Sequence, residues 1–110
     1  MLADTLRLWC NPAWRWTHFP AGEHRDKVTA ARLQRMGLKR GWPDFLFIGP
    51  RMVFGLELKR PGTSFTPTPE QEDIRDHLVH CGFAAMVTNS YDDAVDQLRD
   101  LGIVRIQVGA

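Results

Sequence analysis

Cysteine is scarce in this chain. Cys10 and Cys81 stand far apart, with no CxxC pair and none of the Cys/His spacings of a zinc site. That excludes a disulfide scaffold and a structural zinc centre, and the two thiols read as reduced, as in a cytosolic protein. Long apolar runs are missing as well, and none approaches membrane-spanning length. No basic segment followed by an apolar stretch and a small-residue cleavage site opens the chain, so no secretion signal is expected. There are no internal repeats, low-complexity tracts or linkers. What remains is 110 residues, 44% hydrophobic and 25% charged, which predicts one domain spanning 1–110 with a core that needs no cross-links.

The net charge of +1 conceals an asymmetry. Residues 1–62 carry eleven Lys/Arg against five Asp/Glu, while residues 63–110 carry three against eight. One basic face able to meet phosphates, and one acidic face turned elsewhere, would account for the split, as would a solvated surface with chance clustering.

Helical spacing of Leu2, Leu6 and Trp9 predicts a short helix over 2–10, ended by Asn11-Pro12. A strand is expected within 13–19, then a loop at Pro20-Ala21-Gly22. Asp26 is a candidate cap for a helix running to Met36, with Val28, Ala31, Leu33 and Met36 facing inward and Gly37 as its stop. Two strands, 44–48 and 53–59, flank Gly49-Pro50-Arg51 and predict a hairpin. Thr68-Pro69-Glu70-Gln71 carries a capping box with proline at the first helical position, so a helix should run to Cys81 and stop at Gly82. A buried strand over 83–88, a helix capped by Asn89 or Ser90 with Ala94, Val95 and Leu98 inward, and a last strand over 103–108 complete the order. A hairpin joined to a β-helix-β unit predicts an α/β fold, a mixed β-sheet flanked by α-helices. Four tryptophans, with Trp9, Trp14 and Trp16 close together, suggest core packing, or else an aromatic strip for a partner or for unpaired bases.

The chemistry sits in the hairpin. Glu57 and Lys59 share one face of their strand by two-residue periodicity. Asp44, after Pro43, joins them only if Ile48 pairs with Val53, which implies a four-residue connection at 49–52, or a bulge with equal effect, and sets Phe45 opposite Leu56 and Phe47 opposite Phe54. Two converging carboxylates suit Mg²⁺ or Mn²⁺, hard cations that take one or two carboxylates and keep several waters. The backbone carbonyl of Leu58 is a candidate third ligand. Lys59 would orient or deprotonate the attacking water, or stabilise charge on the phosphate. The residues alone thus point to a metal-dependent phosphodiesterase, with ordinary exposed positions on an edge strand as the plain alternative.

Pro43-Asp44 with Glu57-Leu58-Lys59 resembles the defining motif of the PD-(D/E)xK nuclease superfamily. Within it the chain looks most like the VRR-NUC (virus-type replication–repair nuclease) family, through His18-Phe19-Pro20-Ala21-Gly22-Glu23, Gly41-Trp42-Pro43-Asp44 and Thr68-Pro69-Glu70-Gln71. The resemblance implies a restriction-endonuclease-like core and a Mg²⁺- or Mn²⁺-dependent endonuclease cutting branched DNA such as four-way junctions, acting as a homodimer. It also implies an intracellular protein of viral or bacterial type, without membrane or small-molecule cofactor. Asp44 and Glu57 would be metal ligands, Lys59 the catalytic lysine and Gln71 an auxiliary polar residue of the catalytic site. His18 would neighbour the substrate or the metal, and Arg25, Lys27, Lys39, Arg40 and Arg60 are candidate phosphate contacts. The chain departs from the family at Ala21, where asparagine is frequent, and in offering Asp4 where the N-terminal helix tends to carry a glutamate. A catalytically silent DNA-binding or assembly module on the same fold is the second reading.

Overall fold

Residues 1–19, 26–63 and 66–105 are described by the computed structural model. The chain runs α1 (Leu2–Trp9), β1 (Arg15–His18), α2 (Lys27–Arg35), β2 (Phe45–Gly49), β3 (Met52–Leu58), α3 (Pro69–His80), β4 (Ala84–Thr88) and α4 (Tyr91–Asp100). The four strands form one sheet in the order β1-β2-β3-β4. β1, β2 and β3 are antiparallel neighbours, whereas β4 runs parallel to β3. The parallel step follows from α3, which crosses back over the sheet between β3 and β4. A mixed sheet with flanking helices is the expected α/β, restriction-endonuclease-like architecture.

Strand parity sorts the sheet into two faces. Phe45, Phe47, Phe54 and Leu56 point to one side and are buried with Leu2 and Leu6 of α1, Ala94, Val95 and Leu98 of α4, and Trp14, Ile103 and Val104. Each large side chain fully buried there contributes roughly 1.5–3 kcal/mol. On the other side α3 packs over Gly55. A Cβ at Gly55 would lie 2.7 Å from Pro43 Cγ and 3.0 Å from Leu78 Cδ1, so the missing side chain lets both reach the sheet.

The caps follow the sequence. Asp26 accepts from the Thr29 amide at 2.7 Å, and Ser90 accepts from that of Asp93 at 3.1 Å. Thr68 and Gln71 form the reciprocal capping box. Gly82, with φ +88°, follows α3.

Three expectations change. The hairpin connection is Pro50-Arg51, two residues rather than four, because Gly49 and Met52 also pair. The tight turn places Arg51 at φ 67°. The register is unaffected, and Ile48 pairs with Val53. Second, α2 buries no residue: Val28 is 79% and Met36 74% exposed. Periodicity identifies a helix with an apolar stripe, but among the described residues no element packs against that stripe closely enough to cover it. Third, within 103–105 only Val104 makes a strand-like bridge, to Cys10. Residues 106–108 of the expected last strand lie outside the described residues. Of the tryptophans, Trp14 is in the core, while Trp9 and Trp42 are exposed.

Candidate active site

Pairing of Phe45 with Leu56 sets the next residues outward, Asp44 and Glu57, opposite one another at the open end of the hairpin. Both belong to the face that α3 covers. Pro43 is buried against Gly55, which fixes the backbone just before Asp44. Gly41, at φ +87°, lies so close to the first turn of α3 that a Cβ there would be 2.5 Å from the carbonyl carbon of Glu70. The Asp44 carbonyl accepts from the Phe19 amide at 2.6 Å, and Oδ2 of its carboxylate accepts from the Leu58 amide at 3.2 Å. The backbone therefore aims this acid toward the end of β3.

Glu57 is half-buried. Burial chiefly, and then the Asp44 carboxylate, push its carboxyl up from 4.5 to about 7, while Lys59 and a hydrogen bond from the Asp44 backbone pull it back. Gln71 Nε2 donates to Glu57 Oε1 at 3.2 Å. Glu57 Oε2 is buried without a hydrogen-bond partner among the described residues. Lys59 Nζ donates to Gln71 Oε1 at 3.5 Å, and the same Oε1 accepts from the Thr68 amide at 3.0 Å. One glutamine side chain thus joins the helix cap, the acid and the lysine.

Asp44, Glu57, Lys59 and Gln71 open into a cleft of about 870 Å³. His18, Leu58 and Arg60 also line it. The His18 ring lies 4.8 Å from that of Phe45, tilted by 34°. The other basic candidates stand elsewhere. Lys27 is on the exposed side of α2 beside Arg32 and Arg35, Lys39 borders a smaller pocket with Phe19, Leu38 and Trp42, and Arg40 is exposed. Arg25 and the Pro20–Glu23 part of the loop lie outside the described residues. Asp4 is not among the residues that line the cleft; it pairs with Arg7 at 3.2 Å and with the N-terminal amine at 3.5 Å.

Sequence reasoning missed two walls of the cleft. Met1, Leu2 and Ala3 come from the start of α1, and Tyr91 opens α4. A hydrogen bond between the hydroxyls of Thr5 and Tyr91 joins the two helices. No local spacing connects residues so far apart; only the cap at Ser90 marks where α4 begins.

Among the described residues no group of three or more His, Cys, Asp or Glu gathers as a metal site. Two carboxylates do converge, and one of their oxygens is buried and unsatisfied, a cost of roughly 1–3 kcal/mol that a cation would offset. Such a donor set fits Mg²⁺ or Mn²⁺, which keep several waters, and not a closed four-ligand zinc centre.

No protein-family model matches the sequence, and no curated protein does. Among solved structures the chain is similar to one described as a VRR_NUC domain protein. The two are 26% identical with a TM-score of 0.62, and the match covers 81% of this chain and 69% of that one.

Proposed function

Taking the chain as a member of the VRR-NUC family of the PD-(D/E)xK superfamily, the assignment its structural match supports, we propose that it is a metal-dependent DNA endonuclease. The nuclease-superfamily fold is the premise. The observation that carries the activity is the register that sets Asp44 against Glu57 with Lys59 and Gln71 beside them.

Asp44 and Glu57 would hold Mg²⁺ or Mn²⁺, with the Leu58 carbonyl as a third ligand. When bound, the ion supplies neutralisation of the scissile phosphate and a lower pKa for the attacking water. Asp44 is presented by the Leu58 amide. Glu57, with Oε1 held by Gln71, would offer Oε2, buried without a hydrogen-bond partner among the described residues, to the ion. Lys59, tethered by Gln71 Oε1, orients the attacking water or meets the charge that builds on the phosphate. His18 and Arg60 on the cleft wall would contact the substrate near the cut. Arg25, Lys27, Lys39 and Arg40 would add sequence-independent phosphate contacts farther out. The substrate is branched DNA such as a four-way junction, and the active form is a homodimer whose two-fold axis presents two sites to a two-fold substrate. Among the described residues no helix is long and apolar enough to cross a membrane.

The experiment is a cleavage panel of four-way junction, flap and linear duplex with Mg²⁺ or Mn²⁺, using wild type, Lys59→Ala and Asp44→Ala. Both substitutions are expected to abolish cutting while DNA binding persists. Wild-type cleavage by either variant would sink the residue assignment. Binding by the wild type without cleavage under every metal would favour a silent binding or assembly module, a reading motivated by Asp4 not lining the cleft.

A further inference from the structure

Gln71 has two jobs that are usually separate. As the N3 residue of a helix capping box it needs its carboxamide turned back to the Thr68 amide. As a neighbour of the cleft it needs Nε2 on Glu57 and Oε1 toward Lys59. One orientation satisfies both. The amide at Thr68 accepts no proton, so it selects Oε1 as its partner and leaves Nε2 to point at the acid. The Thr68 hydroxyl accepts from the Gln71 amide at 3.2 Å and locks the backbone from which that side chain springs. The same first turn of α3 lies against Gly41, three residues before Asp44.

Resting on the nuclease reading above, we propose that Thr68, which does not line the cleft, is a positioning residue of this site. Its capping box fixes the side-chain rotamer and amide orientation of Gln71, and through Gln71 the relative placement of Glu57 and Lys59. Without the Thr68 hydroxyl the first turn of α3 frays; the amide of residue 68 remains, but the backbone that holds Gln71 Oε1 against it is released, and the carboxamide loses its fixed orientation. Glu57 then loses its donor at Oε1, and Lys59 loses the acceptor that holds it over the cleft.

Residues that support metal ligands from behind typically change affinity or activity by about 10–100-fold when replaced. A fall of that size is expected in the single-turnover cleavage rate of Thr68→Ala on a four-way junction with Mn²⁺, measured well below its melting temperature, with DNA affinity unchanged. Thr68→Ser, which keeps the cap, restores the rate. The separating measurement is a double-mutant cycle with Gln71→Ala. If Thr68 acts through Gln71, Thr68→Ala costs nothing further once Gln71 is gone. An equal loss in both backgrounds, or a wild-type rate in Thr68→Ala, overturns the proposal.

A readout independent of activity keeps this distinct from the nuclease reading. In the metal-free protein the side-chain amide resonances of Gln71 are expected to be dispersed, to shift in Glu57→Gln, and to collapse toward free-glutamine positions in Thr68→Ala. Should the wild type cleave no DNA at all, that collapse would still establish the coupling from Thr68 to Gln71. Unmoved resonances would overturn it.

Discussion

At the scale of single residues, Glu57 has the most to report. Its carboxyl titrates near 7 in the folded chain, against 4.5 ordinarily. Between those values the folded protein holds a proton that the unfolded chain has released. Unfolding free energy therefore falls as pH rises through that window and levels off above it. Glu57→Gln removes this dependence. Without divalent metal, the melting temperature of the variant should pull ahead of the wild type from pH 5 to pH 8, and the two curves should run parallel below pH 4.5. A gap independent of pH would show that Glu57 is not the group responsible. How the acid comes to face Asp44 was legible in the chain, since a side-chain period of two fixes the face once one pair is known. The dual service of Gln71 was not. The capping box and the catalytic motif each give a complete account of that residue, and only the packing of α3 against β3 brings a single carboxamide to meet both demands.

At the scale of elements, α2 and α4 are opposites that look alike in sequence. Each shows a Ser/Asp cap and an apolar stripe. α4 buries Ala94, Val95 and Leu98, while α2 buries none. Leu98→Ala should cost about 2–5 kcal/mol, the range for emptying a core site. Val28→Ser or Met36→Ser should stay within about 0.5 kcal/mol, as for surface positions. Urea denaturation of the three variants checks this, and a costly Val28→Ser would mean that α2 packs in solution. Periodicity shows which side of a helix is apolar but not whether a partner exists, which is why the inward face expected for α2 failed. The hairpin turn is two residues shorter than its expected length for a related reason. Lengthening both strands by one pair leaves the register unchanged, so the pattern of side chains cannot tell a four-residue connection from a two-residue one.

On the scale of the whole molecule, the charge split acquires a location. Among residues 63–110 the acids all lie on α3 and α4, at Glu70, Glu72, Asp73, Asp76, Asp92, Asp93, Asp96 and Asp100. Exposed Lys27, Arg32, Arg35, Lys39 and Arg40 belong to α2 and the segment that follows it. If the basic segment meets DNA phosphates, affinity falls linearly on a log–log plot against salt, with a slope of about 0.9 per phosphate contact. Replacing Lys39 and Arg40 together by Ala should lower the slope by up to about 2 and leave the cleavage rate at saturating DNA unchanged. Titration of a fluorescent junction across salt concentrations measures it, and an unaltered slope would remove that pair from the interface.

Met1, Leu2 and Ala3 form part of the cleft wall, and Met1 is 91% exposed. Whatever is joined ahead of Met1, whether a purification tag or a preceding stretch of polypeptide, emerges beside the cleft of the proposed active site. Handling this protein by its amino end therefore means working at the mouth of the site, and an affinity tag left there would be a competitor built into the assay.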